Sequence, residues 1–341
     1  MVWAGDVDAV SGVLLAAVVE TAVPFAVPLR HRFRGVTVRE GVLLRGPAGW
    51  GEFAPFREYD DAACVPWLRA AVDSATRPWP VPVHDRVPVN TIVPVVAPDV
   101  AAAEVAASGC RTAKVKVADV RSTPAEDLDR LRAVHEVLGP QGHIRLDANA
   151  AWTVDEAVAF LKAAQDAIGE IEYVEQPCQS LAELTEVRRR AAVRVAADES
   201  IRLTAEDARA SVLERLADSV DVAIVKVGPL GGVRAATRVA QWGLPVVVSS
   251  AVDTSVGLAA GVAAAASLPE LRHACGLGTR MLLDGDVSRV QVRPEDGWLP
   301  WFPAAPEPDL RDAVRPAPAD AQWWQARLRR VAALLGAAPN G

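Results

Sequence analysis

From about residue 86 the chain alternates short runs of Val, Ile and Ala with longer amphipathic stretches rich in Ala, Glu and Arg. The apolar runs are "VPVNTIVPVV", "TAKVKV", "HIRLDAN", "IEYVEQP", "VRVAADES", "VDVAIVKVG", "PVVVSS" and "HACGLG", eight in all. Their length and Val/Ile content predict strands, whereas "TPAEDLDRLRAVHEVLG", "TVDEAVAFLKAAQDA", "SLAELTEVRRRA" and "TAEDARASVLERLAD" between them predict helices. The first, second and fourth helical stretches open on a threonine followed by acidic residues, and the third opens on Ser180. Side chains of this kind satisfy the unpaired N–H groups of a first helical turn. Repeated strand–helix alternation with continuous apolar strands predicts a parallel sheet covered by helices. Eight such units fit a β/α barrel better than an open doubly wound sheet, whose Gly-rich phosphate turn is missing from "VVAPDVAAAE".

The flanking regions read differently. "VTVREGVLL" has strand composition around Gly41, "GPAGWGE" supplies turn residues, and "DAACVPWLRAAVDSA" predicts a helix closed off by the Pro-rich "RPWPVPVHDRVP". After the eighth run Pro and Trp become frequent, and "DAQWWQARLRRVAALLG" predicts a terminal helix. The expected division is a mixed first segment at 1–85, a barrel at 86–281, and a return at 282–341 that packs back on the first segment.

Composition narrows the function classes. With 341 residues, 51% of them hydrophobic, the chain has enough apolar material for one large domain and a smaller one. A net charge of −7 with dispersed basic residues argues against a nucleic-acid surface or a polybasic membrane contact. The apolar "VSGVLLAAVV" is about half the length of a membrane span, is flanked by Asp6, Asp8 and Glu20, and lacks the basic lead of a signal peptide. Cys64, Cys110, Cys178 and Cys275 lie far apart, so free thiols are expected rather than a zinc knuckle or a disulfide framework. Together these features predict a cytoplasmic protein with no nucleic-acid or membrane partner.

The candidate chemistry lies in where the charges fall. Asp147, Glu175, Asp198 and Lys226 each end an apolar run, at intervals of 28, 23 and 28 residues, about one strand–helix unit apiece. Consecutive strand ends are neighbours around one rim of a β/α barrel, and that rim is where such folds build active sites. A single strand-end carboxylate is ordinarily a helix cap or a loop salt bridge. Three on successive strands repel one another, and a hard divalent cation with oxygen ligands resolves the repulsion. The lack of clustered His and Cys disfavours zinc. One strand earlier, "RTAKVKVADV" sets Lys114 and Lys116 two apart, hence on one face of a strand. Those ten residues alone suit an edge strand protected by lysine. Beside the carboxylates, the lysines instead suit removal of a proton α to a carboxylate, with the neighbouring ammonium and the metal depressing the pKa of one of the two so that it can act as a base.

The same residues resemble the enolase superfamily in its muconate-lactonizing subgroup: "KVK" at 114–116, "DAN" at 147–149, "EQP" at 175–177, "DES" at 198–200 and "KVGPLGG" at 226–232, within a resemblance spanning about 21–305. A lysine base working with Mg²⁺ is that family's chemistry. The resemblance implies a modified (β/α)7β barrel whose mouth is closed by an α+β capping domain made from the N-terminal segment and the C-terminal tail. It implies Asp147, Glu175 and Asp198 as ligands of Mg²⁺, with Mn²⁺ as an alternative. Lys116 is then the general base and later the acid, Lys226 the cation that stabilises an enediolate, and Lys114 the neighbour that tunes Lys116. Asn149 is expected near a ligand or substrate oxygen, and Glu199 near Lys226.

Substrate contacts are expected from Ser249 and Ser250 in "SSAVDTSVGLA", whose acidic position is Asp253 where many relatives are expected to carry Glu, and from Arg34. Arg30, Arg32 and Arg34 alternate in "FAVPLRHRFRG", which suits either attraction of a substrate carboxylate or a solvated hairpin edge. "WGEFAPF" at 50–56 and the compact length favour the dehydrating lyases of the subgroup. Racemases and epimerases share the barrel and use both lysines as a two-base pair; a non-catalytic metal-binding scaffold is a third reading, disfavoured by the intact lysines. The partner in each catalytic case is a small-molecule carboxylate, and a monomer is consistent with the sequence.

Overall fold

A computed structural model of the chain describes residues 12–204 and 206–337. Asp6 and Asp8, and the first two residues of "VSGVLLAAVV", lie outside the described residues. The remainder of that stretch lies in the helix Gly12–Glu20, and no helix among the described residues is long and apolar enough to cross a membrane.

An antiparallel three-stranded sheet comes first, formed by β1 (Val23–Phe33), β2 (Val36–Gly46) and β3 (Gly49–Phe53). The helix Val65–Thr76 lies on it so closely that a Cβ on Gly51 would sit 1.9 Å from the Ala71 carbonyl oxygen. The terminal helix Pro318–Ala337 returns to this unit, where Trp324, Leu328 and Val331 pack with Phe53, Leu68 and Val72. A short antiparallel pair joins β4 (Arg86–Pro88) to a late strand, β12 (Trp298–Pro300).

The eight predicted runs form the barrel. Seven are parallel strands in one sheet: β5 (Thr91–Val93), β6 (Thr112–Lys116), β7 (His143–Asp147), β8 (Tyr173–Glu175), β9 (Val195–Ala197), β10 (Val222–Lys226) and β11 (Val246–Ser249). The eighth closes the ring with two residues only. Cys275 N donates to Pro88 O at 2.7 Å on one side, and Gly276 N donates to Val248 O at 2.8 Å on the other. Helices cover the outside, and those at Pro124–Leu138, Val154–Ile168 and Leu181–Arg190 begin with reciprocal capping pairs, Thr123/Glu126, Thr153/Glu156 and Ser180/Glu183. The fourth, Glu206–Ser219, follows Thr204, whose hydroxyl donates instead to Ser200 O at 2.7 Å.

Strand phase decides what each side chain meets. Ala113, Val115, Ile144, Leu146, Val174 and Val195 face the helices and join the main core. The alternate positions point into the barrel, where Tyr173, Ala196, Val222, Ile224 and Val247 form a small inner cluster. Two residues further along the same phases stand Glu175, Asp198 and Lys226, so the apolar layer carries a charged layer above it at the C-terminal rim. A third cluster, including Phe25, Val27, Leu43, Ile92, Val252 and Val256, joins the three-stranded unit to the barrel mouth.

Candidate active site

The charged layer is buried and paired. Lys114 Nζ lies 2.8 Å from Glu175 Oε1 and 3.0 Å from Asp147 Oδ2, bridging two neighbouring strand ends. Lys116 Nζ lies 2.6 Å from Asp147 Oδ2, also donates to Asn149 Oδ1, and stands 5.1 Å from the centre of the Phe33 ring. Lys226 Nζ donates to Asp198 Oδ2 at 2.5 Å. All six ionisable groups are at most 9% exposed. The lysines are side chains of one barrel interior, as their strand phase predicts, and not of a solvated edge.

Electrostatics separates the two lysines of β6. Burial lowers the pKa of Lys116, with the adjacent Lys114 ammonium acting in the same direction, and this outweighs the attraction of Asp147. Burial acts on Lys114 too, but the carboxylates of Asp147 and Glu175 prevail and raise it. Burial likewise opposes ionisation of Asp147, yet Lys114 and Lys116 hold it well below the usual carboxylate range. Asp198 is lowered against its burial by Lys226 and Arg202. Glu175 goes the other way, to about 7, because burial and the charges of Asp147 and Asp198 outweigh Lys114.

These observations test the donor set against a hard divalent cation. Three carboxylates converge on one rim, Glu175 is poorly compensated, and Asp198 Oδ1 is buried without a hydrogen-bond partner. An all-oxygen set of three carboxyl groups, one of whose oxygens makes no hydrogen bond, fits Mg²⁺ chemistry. Among the described residues no three His, Cys, Asp or Glu side chains are grouped around a common point, since each of these carboxylates is drawn to an ammonium or guanidinium. An ion shared by all three therefore requires Lys114 and Lys226 to give ground.

Several residues here escaped the sequence reading. Arg202, four residues after Asp198, lies 3.2 Å from that carboxylate, donates to Glu199 Oε1 at 2.5 Å, and donates to Tyr59 OH at 2.8 Å. Gln176 accepts from Asp198 N at 3.0 Å and Ser200 N at 3.2 Å, fixing the turn that follows β9. Arg145, completely buried one layer below Asp147, ties Glu172 at 2.6 Å to Asn90 at 2.9 Å and closes the barrel floor.

Of the predicted substrate contacts, Asn149 links Lys116 to Glu199, donating to the latter at 3.2 Å, so Glu199 meets Asn149 and Arg202. Ser249 and Ser250 line an inner chamber of about 30 Å³ with the three lysines, Phe33 and Arg34. The chamber adjoins an outer hollow of about 730 Å³ that shares Arg34, Lys116, Asn149 and Arg202. Only Arg34 of the three alternating arginines lines either space. Arg30 bonds Leu283 O and Arg32 bonds Gly35 O, whereas Arg34 leaves the strand phase with φ +49°, stacks 4.5 Å from the Phe56 ring and donates to Tyr59 OH.

The fold and site define the class. Residues 98–306 match the family model described as enolase C-terminal domain-like, and residues 24–75 match the enolase N-terminal domain-like model. The chain belongs to the enolase superfamily. It is 56% identical over 277 residues to the o-succinylbenzoate synthase of Thermobifida fusca, covering 81% of this chain and 86% of that protein. It is 47% identical over 324 residues to the o-succinylbenzoate synthase of Mycobacterium bovis, covering 94% and 96%. The fold matches that of a dipeptide epimerase from Enterococcus faecalis complexed with Mg and L-Leu-L-Tyr, with a TM-score of 0.68, 20% identity, and coverage of 84% of this chain and 97% of that one.

Proposed function

We propose that this chain is an o-succinylbenzoate synthase, a hydro-lyase that removes water from 2-succinyl-6-hydroxy-2,4-cyclohexadiene-1-carboxylate in menaquinone biosynthesis. The identity to curated synthases over most of the chain supports the reaction. The observation that carries the mechanism is the placing of the pair on β6: Lys116 lines both the chamber and the outer hollow, while Lys114 is held between Asp147 and Glu175, and burial with the Lys114 charge shifts Lys116 toward the neutral form.

Asp147, Glu175 and Asp198 would hold a Mg²⁺ ion. When bound, that ion supplies a Lewis acid for the substrate carboxylate and offsets the negative charge that develops there. Lys116 Nζ takes the proton from the ring carbon that bears the carboxylate. The electrons of that C–H bond then expel the ring hydroxyl, Lys116 returns its proton to that oxygen, and water leaves from the same face. One residue thus serves both steps, which accounts for a syn course. Lys226, on the other side of the chamber, contributes a positive charge toward the same developing anion. Lys114 neutralises Asp147 and Glu175, and its charge favours the neutral form of Lys116. Arg34, Ser249 and Ser250 contact the succinyl side of the substrate, and Asn149 holds Lys116.

The division into 1–85, 86–281 and 282–341, with the outer two forming one cap, belongs to this proposal, as does a cytoplasmic location. A second reading, racemisation of an N-acylated amino acid or epimerisation of a dipeptide, is favoured by Lys226 standing opposite Lys116 as a second base. The test is to incubate the purified protein with Mg²⁺ and each substrate. Formation of o-succinylbenzoate supports the first reading and its absence overturns it; solvent deuterium exchange at an N-acylamino acid α-carbon, lost in Lys226→Ala, supports the second.

A further inference from the structure

The junction between the three-stranded unit and the seventh barrel strand holds a buried carboxylate that the reaction scheme does not use. Glu52, on β3, reaches the start of the helix Ser255–Ala266. Its Oε2 accepts from Thr254 Oγ1 at 2.5 Å and from Gly257 N at 2.9 Å, and its Oε1 accepts from Thr254 N at 3.2 Å. Asp286 takes the Ser255 donors, at 3.1 Å for N–H and 2.5 Å for the hydroxyl. The helix N-terminus is thus divided between two carboxylates, and the share of Thr254 and Gly257 comes from across the domain junction. A Cβ on Gly257 would meet Glu52 Oε2 at 2.9 Å, so the first turn is bare where Glu52 enters.

The segment just before this helix needs holding. Val252 has φ +64°, a costly conformation for a β-branched residue. Asp253 accepts from Ser250 Oγ at 2.9 Å and from Ala251 N at 3.2 Å, and Arg39 of β2 donates to Val252 O at 3.2 Å while standing 3.8 Å from Asp253. Ser249, Ser250, Ala251 and Val252 are one wall of the inner chamber.

We propose that Glu52 is a positioning residue: by capping the Ser255–Ala266 helix from the neighbouring unit, it fixes the Ser249–Val252 wall against which the substrate's succinyl side chain lies. The inference rests on the dehydration reading above. Because the wall is assigned to the succinyl side chain and not to the ring carbon that loses its proton, its loss weakens ground state and transition state together, which raises KM and spares kcat.

Glu52→Gln keeps the shape but turns one acceptor into a donor that faces an N–H or a hydroxyl. It should raise KM about 10-fold with kcat within about twofold, as expected for one misdirected buried hydrogen bond. Thr254→Val removes a donor at the same junction and should act in the same direction, and the double variant should be no worse than the more severe single one. A KM unchanged within about twofold in both folded single variants, or a fall in kcat alone, would overturn the proposal. If the wild type forms no o-succinylbenzoate, the dehydration reading has failed on its own. Glu52 is then judged by amide hydrogen exchange at 249–252 in Glu52→Gln, where lower protection supports the wall-holding role and unchanged protection refutes it.

Discussion

Replacing Lys114 with Met tests whether the buried ammonium is what holds the strand-end carboxylates together. Its Nζ is 2.8 and 2.9 Å from the two Glu175 oxygens and 3.0 Å from Asp147, and the residue is 5% exposed. Breaking a buried ion pair by removing one partner costs about 3–5 kcal/mol, because the other charge is left uncompensated. Asp147 keeps Lys116 at 2.6 Å, so the burden falls on Glu175. That group sits at about 7 in the folded state against 4.5 unfolded. Its folded form binds the proton more tightly, so its contribution favours folding fully below the unfolded value and is lost as pH rises through the folded one. Taking away Lys114, which lowers Glu175, pushes it further up and extends that loss into the alkaline range. The expected loss is about 3 kcal/mol near pH 6, where Glu175 can take up a proton, growing toward about 5 kcal/mol near pH 9. Urea midpoints of wild type and variant at the two pH values measure it, and millimolar Mg²⁺ should recover more of the loss in the variant than it adds to the wild type. A loss below about 1 kcal/mol at pH 9, or one that shrinks as pH rises, would refute the reasoning.

Other substitutions probe the substrate contact, the proposed metal ligands and the cap. Arg34→Met should raise KM about 10-fold or more through the loss of a charge-assisted contact to a substrate carboxylate, with a smaller change in kcat, measured by steady-state kinetics. Asp198→Asn should weaken Mg²⁺ binding at least about 10-fold by calorimetry, since it alters a proposed ligand and leaves Lys226 without its carboxylate. Gly51→Ala forces a Cβ to within 1.9 Å of the Ala71 carbonyl and must pry the sheet from the helix Val65–Thr76. It should cost about 3 kcal/mol, seen as a lower thermal midpoint.

How far the sequence could be read follows from whether a signal was local. Strand phase is local, and it turns Lys114 and Lys116, Asp147, Glu175, Asp198 and Lys226 to the barrel interior once eight parallel strands are accepted, with Lys114 level with Arg145 and Lys116 level with Asp147. The helix caps at Thr123, Thr153 and Ser180 are equally local. Arg202 was not legible because in sequence it is one more charge in a short helix. Its partner Tyr59 is 143 positions away, and only the closure of the cap over the barrel brings them together. Arg145 reads as the solvent phase of an ordinary strand until the barrel closes and makes that phase interior. Arg34 departs from the alternation of Arg30 and Arg32 because the chain turns at Gly35, with φ +81°, and the turn redirects its side chain. Glu52 is legible only as part of "WGEF"; the donors it meets are more than 200 positions further on.

The proposed dehydration depends on Lys116 moving the proton in both steps. The most direct measurement compares o-succinylbenzoate formation by wild type and Lys116→Ala, both saturated with Mg²⁺ and given 2-succinyl-6-hydroxy-2,4-cyclohexadiene-1-carboxylate. Loss of one residue that is base in one step and acid in the next should lower kcat by at least about 10³-fold. A variant that turns over within about 10-fold of wild type would contradict the assignment and move the base to another residue.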